Sequence, residues 1–263
     1  MNTSNTSSSS TKKVFLDVLL YLVLYLAIQV VVTMVGGAIF SGNQSSIISI
    51  GESIISGALT VAFFVWRNWA PFSREYIQTR PWGLLFWVVC LALGTIAPLQ
   101  LMQEGIGIEM PEKYQKLFEE LMKSDWGFFA AAIMAPVVEE VVFRGAILRR
   151  LLQCQSLKGH WMAIFITSLA FAAVHANLSQ GVNALLIGLV LGWLYYRTNS
   201  IVPGMAMHIT INTCAVIISR LTPTATTCSQ LLGNSPVRIT LAVVFSLAIF
   251  AAALYQVLRE LKK

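Results

Sequence analysis

Two adjacent glutamates, Glu139 and Glu140, interrupt an apolar stretch at residues 127–148 (GFFAAAIMAPVVEEVVFRGAIL), and Arg144 follows within it. The chain holds only 12 acidic residues, so a carboxylate pair here is costly and conspicuous. An ionisable group at the centre of a bilayer costs a few kcal/mol or more, so such groups usually face a cavity, have a partner and carry function. Spacing divides the pair. Glu140 and Arg144 are four residues apart and share a helix face, whereas Glu139 points about 100° away. An arginine that neutralises Glu140 leaves Glu139 as the carboxylate free to act as a general base. The same three residues could instead form a buried network that only fixes helix packing, and this segment alone leaves both readings open.

Two of the three histidines, His175 and His208, also fall within apolar runs, while His160 sits at a connection and reads as ordinary. Asn212 follows His208 by four residues, so imidazole and amide face the same way on a helix. At about 1.5 Å of rise per residue, Glu139 lies about 15 Å from the basic end of its helix, His208 about 8 Å and His175 about 20 Å. These depths converge only if the helices tilt or start at staggered heights. Pro136, one turn before Glu139, could supply a kink.

The elements that must position these groups are apolar helices. The chain is 56% hydrophobic and 11% charged, against roughly 25% charged in soluble domains, with a mean hydropathy of +0.71. Runs long enough to span a bilayer are read at 14–34, 48–66, 82–102, 127–148, 161–178, 181–196, 201–219 and 237–258, the sixth being the shortest. The expected fold is all-α, a polytopic transmembrane bundle of about eight spans. A net charge of +6 could suggest a nucleic-acid partner, but the cations alternate between connections. Lys12, Lys13, Arg67, Arg74, Arg80, Arg149, Arg150, Lys158, Arg197, Arg259, Lys262 and Lys263 fall on one side, which predicts both termini in the cytoplasm and no nucleic acid.

Residues 1–13 are polar, of low complexity and expected to be disordered, and residues 14–260 form one helical domain with a core at 127–219. A signal peptide over 1–34 is the competing reading, disfavoured by the length of the apolar run and by Asp17 near its start. Cys90, Cys154, Cys214 and Cys228 lack CxxC spacing, so neither a disulfide framework nor a thiolate zinc site is indicated. No inverted repeat marks a secondary transporter. After Pro111, the residues Tyr114, Leu117, Phe118, Leu121 and Met122 recur on one face of a predicted amphipathic helix at the membrane surface. Gly188 and Gly192 form a GxxxG pair that permits close helix contact.

Glu139 to Arg144 (EEVVFR) matches EExxxR, Phe171 to His175 (FAAVH) matches FxxxH, and His208 to Asn212 (HITIN) matches HxxxN, in that order. The chain resembles the CAAX-processing and bacteriocin-immunity (CPBP or Abi) family of intramembrane endopeptidases over residues 127–219. The resemblance implies hydrolysis of a peptide bond in or beside the membrane. Glu139 then activates a water, His175 holds that water or shares its proton, His208 and Asn212 stabilise the oxyanion, and Glu140 and Arg144 support the site. Phe171 is expected to pack beside His175. Glu139, His175 and His208 could alternatively supply a zinc set with an open position, although no HExxH is present. The implied partners are membrane lipid and a peptide or membrane-anchored protein, prenylated or not, and compact length fits a bacterial plasma membrane. A non-catalytic binding or immunity protein and a proton-coupled transporter are the alternatives from other classes.

Overall fold

A run of some 20 residues without charge must satisfy its own backbone polar groups in lipid, and only a helix does so within one segment. The computed structural model accordingly consists of helices. It describes residues 11–40, 45–71, 74–108, 111–222 and 227–262, with the side chains of 113, 114, 117, 121 and 122 outside that description. Among the described residues, seven helices are long and apolar enough to cross a membrane: α1 (Thr11–Ile39), α2 (Ser46–Trp66), α3 (Trp82–Gly105), α4 (Asp125–Leu151), α6 (Leu178–Thr198), α7 (Val202–Leu221) and α8 (Pro236–Glu260). The chain is a multi-pass, all-α membrane protein. Leucines, valines and phenylalanines project outward, as with Leu19, Val31 and Phe245, while Glu140 and Arg144 are fully buried. That inversion of the soluble pattern is what a lipid-facing bundle requires.

The short helix is the fifth, not the sixth as expected. Helix α5 (His160–Ala173) has 14 residues, about 21 Å, against the roughly 30 Å of a hydrocarbon core. Gly159 at φ 86° starts it, and a turn with Ala176 at φ 55° stops it. Asn177 then caps α6 by accepting the Gln180 N–H at 2.9 Å. The sixth apolar run extends to 21 residues because Leu178, Ser179 and Gln180 join its first turn and Arg197 and Thr198 its last.

Side-chain contacts fix which ends lie together. Asp17 pairs with Arg150 at 2.7 Å, Thr11 bonds Ser156 at 3.0 Å, and Arg149 donates to the Trp69 carbonyl at 3.3 Å. Glu260 lies against Gly83. The start of α1 and the end of α8 therefore share the basic end of the bundle. At the other end, Gln103 donates to the Ser179 carbonyl at 2.7 Å and Arg220 pairs with Asp125 at 3.0 Å. Helix α5 starts at the basic end, where His160 stacks on Tyr196 with ring centroids 3.9 Å apart.

Other expectations meet local detail. The first helix begins at Thr11, so residues 11–13 are helical, while residues 1–10 lie outside the described part. A helix does form over Glu112–Met122. Of its expected apolar face, only Phe118 is among the described side chains, half-buried beside Ala132 and Val216. All four cysteines are free. Gly188 and Gly192 face α5 of the same chain: an added Cβ would meet Ser168 at 3.0 Å and Ile164 at 2.8 Å respectively.

The tightest backbone contact joins α3 to α8, where a Cβ on Gly94 would fall 2.7–2.9 Å from the backbone and Cβ of Phe250. Gly94→Val should therefore destabilise the bundle by about 1–3 kcal/mol and lower its thermal unfolding midpoint in detergent. Gly37→Ala, with nothing within 4 Å, is the matched control and should leave the midpoint unchanged.

Candidate active site

Helix α4 carries the glutamates, and it is not a regular α-helix. Its turns over Ala130–Met134 and Glu140–Leu148 are π-helical, with an α-helical turn at Ala135–Glu139 between them. Single π-turns recur at functional sites, and here Pro136 supplies a local cause. In the wider winding each carbonyl waits for the N–H five residues ahead, and Ala135 N–H does bond the Ala130 carbonyl. The next carbonyl, Ala131, waits for Pro136, which has no N–H. Asn212 of α7 fills the gap, its Nδ2 donating to Ala131 O at 3.0 Å. The proline thus creates an orphan acceptor, and the asparagine ties α7 to α4 through it.

One turn before Asn212, His208 reaches both glutamates. Its Nδ1 donates to Glu140 Oε1 at 3.2 Å, and its Nε2 faces Glu139 Oε2 at 3.5 Å. Glu140 is also held by Arg144, whose NH1 donates to the same oxygen at 2.8 Å. Arg144 donates onward from NH2 to the Gly188 carbonyl at 3.3 Å, and its guanidinium carbon lies 4.6 Å from the Phe171 ring centroid. Gly204 makes room for this cluster, since a Cβ there would fall 2.6 Å from Glu140 Oε2. The ion pair expected from the i, i+4 spacing is formed, and the two carboxylates do have different surroundings. Glu140 has no exposure, whereas Glu139 is 16% exposed and borders a cavity.

His175 reaches this cluster through Phe171. The imidazole Nδ1 donates to the Phe171 carbonyl at 2.8 Å, leaving Nε2 as the edge available to another group. The Phe171 ring meets His175 edge-on at 4.9 Å and His208 at 5.8 Å. The phenylalanine packs beside His175 as expected, and it also touches Arg144 and His208. His175 itself sits in the turn after α5 and not within a span as read from sequence, because α5 ends at Ala173. Its carbonyl and backbone N–H are used in the turn, by Asn177 and Ala172 respectively.

Ser200 and Ile201, which lead into α7, are buried, and so is His208. Among the described residues, no group of three or more His, Cys, Asp or Glu side chains is placed to hold a metal ion. The trio of Glu139, His175 and His208 considered for zinc is not gathered into a coordination sphere.

The cavity beside Glu139 has a volume of about 130 Å³ and an unexpected second wall. Tyr25 and Gln29 of α1 and Ser53, Ser56 and Thr60 of α2 line it opposite Met134, Ala135 and Val138 of α4. Sequence reading passed over these residues. The signal was present, since 53, 56 and 60 fall on one face of a helix that is otherwise apolar.

Residues 123–214 match the family of type II CAAX prenyl endopeptidase Rce1-like proteins. That stretch contains Glu139, Glu140, Arg144, His175, His208 and Asn212, and excludes the wall formed by α1 and α2. The chain is also 26% identical over 133 residues to the "Putative membrane peptidase YdiL" of Bacillus subtilis (strain 168), covering 51% of this chain and 53% of that protein. The chain therefore matches about half the length of this curated relative. No solved structure matches it. The likeness is to a CAAX-protease-like membrane endopeptidase family.

The proline-asparagine arrangement yields a test that needs no substrate. Asn212→Leu leaves a buried carbonyl unpaired and should cost about 1–3 kcal/mol, read as a lower unfolding midpoint. Pro136→Ala restores an N–H for Ala131, so the double variant should recover most of that loss. A double variant as unstable as the sum of the two singles would disprove the pairing.

Proposed function

We propose that this protein is an intramembrane endopeptidase in which Glu139 activates the attacking water. The observation that carries the reading is the asymmetry of the glutamate pair. Glu140 is spent on Arg144 and His208, while Glu139 faces both a cavity and the Nε2 edge of His208. A general base must reach its proton and be free to accept it, and of the two carboxylates Glu139 alone meets both conditions.

In the proposed reaction, a water in the cavity loses a proton to Glu139 as its oxygen bonds the scissile carbonyl carbon. The negative charge then forms on the carbonyl oxygen, and the C–N bond breaks as the nitrogen takes the proton from Glu139. His208 stands on the side where the oxyanion would form, with its Nε2 edge turned toward Glu139. Asn212 has two amide N–H groups and uses one on Ala131, so one remains for the same task. His175 presents Nε2 to hold the water, its other nitrogen being fixed by Phe171. Glu140 and Arg144 hold His208 at its Nδ1. The catalytic helices are those at 127–219, and both chain termini face the cytoplasm of a bacterial plasma membrane, since the cations gather at the end that holds them. The substrate class that fits the likeness is a membrane-anchored or prenylated peptide.

Purified protein incubated with prenylated and unmodified CAAX peptides should cleave one of them, and Glu139→Ala or His175→Ala should lower the rate by about 100- to 10,000-fold with unfolding midpoints preserved. A strong chelator should leave the rate unchanged. Normal cleavage by both variants would refute the catalytic assignment, as would proton flux in liposomes lost on Glu139→Gln without any peptide cleavage. Inactivation by the chelator with recovery on added zinc would replace direct water activation by a metal route.

A further inference from the structure

Polar residues of α1 and α2, outside the family match, meet in one seam. On α1, Tyr25, Gln29 and Gly36 recur at i, i+4 and i+11, and on α2, Glu52, Ser56 and Thr60 recur at i, i+4 and i+8, so each set shares a helix face. The two faces touch. Gly36 lies against the Glu52 carboxylate, which a Cβ there would strike, and Tyr25, Gln29, Ser53, Ser56 and Thr60 border the same cavity as Glu139. Toward the basic end the seam is filled by aromatic rings, with the Tyr21 centroid 4.4 Å from that of Trp69 and 6.1 Å from that of Phe64, which is wholly buried. Toward the other end it holds Glu52, about 9 Å along α2 from Ser46. One carboxylate oxygen of Glu52 is buried and, among the described residues, has no hydrogen-bond partner. Ser53, next to it, is exposed and lines the cavity.

A carboxylate in a membrane helix is retained where a cavity or a partner meets its cost. No described side chain partners the buried oxygen of Glu52, and the notch at Gly36 leaves it open to a small polar molecule. We propose that the seam between α1 and α2 is the route by which water reaches Glu139 from the end of the bundle opposite the basic cluster, with Glu52 and Ser53 at its mouth. This inference rests on the peptidase reading above, because each peptide bond hydrolysed consumes one water. The cavity at the end of the route, about 130 Å³, holds several waters. At the same end of the bundle, the contact between α4 and α7 is packed with Phe118, Phe128, Ala132 and Val216. Water and the scissile carbonyl therefore come to Glu139 from different sides. A substrate engaged at His208 leaves the α1–α2 side free to refill.

The test measures hydration directly and needs no turnover. With Cys90, Cys154, Cys214 and Cys228 replaced by alanine, Ser53→Cys is compared with Ile55→Cys and Leu59→Cys, controls on the same helix whose native side chains are 55% and 50% exposed. Each variant is reconstituted in lipid vesicles, and a membrane-impermeant trimethylammonium methanethiosulfonate, with which only an ionised thiol in contact with water reacts, is supplied on both faces. Ser53→Cys should react at least about tenfold faster than either control, because thiolates form in water and not in lipid. Filling the notch with Gly36→Leu, or removing the carboxylate with Glu52→Leu, should slow that labelling by about tenfold, the unfolding midpoint reporting an intact fold. Labelled Ser53→Cys should also lose the peptide cleavage that the unlabelled variant keeps. Labelling of Ser53→Cys at the control rate would overturn the route and show lipid covering its mouth. Labelling indifferent to both Gly36→Leu and Glu52→Leu would overturn it too, as would undiminished cleavage after complete labelling. Fast labelling that Glu52→Leu slows, in a protein that cleaves no peptide, would uphold the route and count against the peptidase reading.

Discussion

A carboxylate and a guanidinium with no exposure at all lie in the middle of a membrane helix, and the contacts around them from three other helices serve to hold that pair. Breaking a buried ion pair by removing one partner costs about 3–5 kcal/mol in protein interiors, because the survivor is left charged and unpaired. Arg144 therefore recruits a second acceptor, the Gly188 carbonyl, and an aromatic face, Phe171. Glu140 recruits His208. Each recruitment demands a close approach, which accounts for glycine at 188 and 204, where a Cβ would meet the arginine and the glutamate respectively. The pair acts as an anchor for three helices, and the residue beside it inherits a fixed position without sharing the anchor's bonds. That is how one glutamate of two becomes free.

Helix α4 meets a second demand through Pro136. A proline in mid-helix usually costs an unpaired carbonyl and a bend. Here the carbonyl is given to Asn212, and the widened turns on either side of Glu139 absorb the change in winding. The HxxxN spacing thus has a structural meaning apart from chemistry. His208 and Asn212 lie one turn apart on α7, and they contact α4 at the glutamates and at Ala131, about two turns apart. Two bonds at separated heights fix the rotation of α7 as well as its distance. An asparagine so placed is a positioning residue even if its second N–H also serves an oxyanion.

Much of this was readable from the chain. The i, i+4 spacing of Glu140 and Arg144 encodes their pairing directly, because a helix face is a local property. The same holds for the polar residues on otherwise apolar runs, which announce themselves by their cost. What could not be read was set by lengths and by partners remote in sequence. The shortness of α5 depends on where Gly159 and Ala176 turn the backbone, and apolar composition ran through that boundary to 178. The buried start of α7 depends on neighbouring helices. The Asn212–Ala131 bond joins residues 81 apart. It could have been anticipated from Pro136 as an orphan acceptor, but its donor could not. The cavity wall was missed for a different reason: Ser and Thr in a membrane helix can bond their own backbone, so they carry little cost and draw little attention.

That self-bonding is what gives the wall its character. A hydroxyl that donates to its own helix is fixed in rotation, so Ser56 and Thr60 keep their protons within α2. On the other side, α7 turns the Nε2 edge of His208 and the amide of Asn212 toward α4. Glu139 stands between these two sides. The two surfaces come from different parts of the chain, one inside the segment that resembles known peptidases and one outside it.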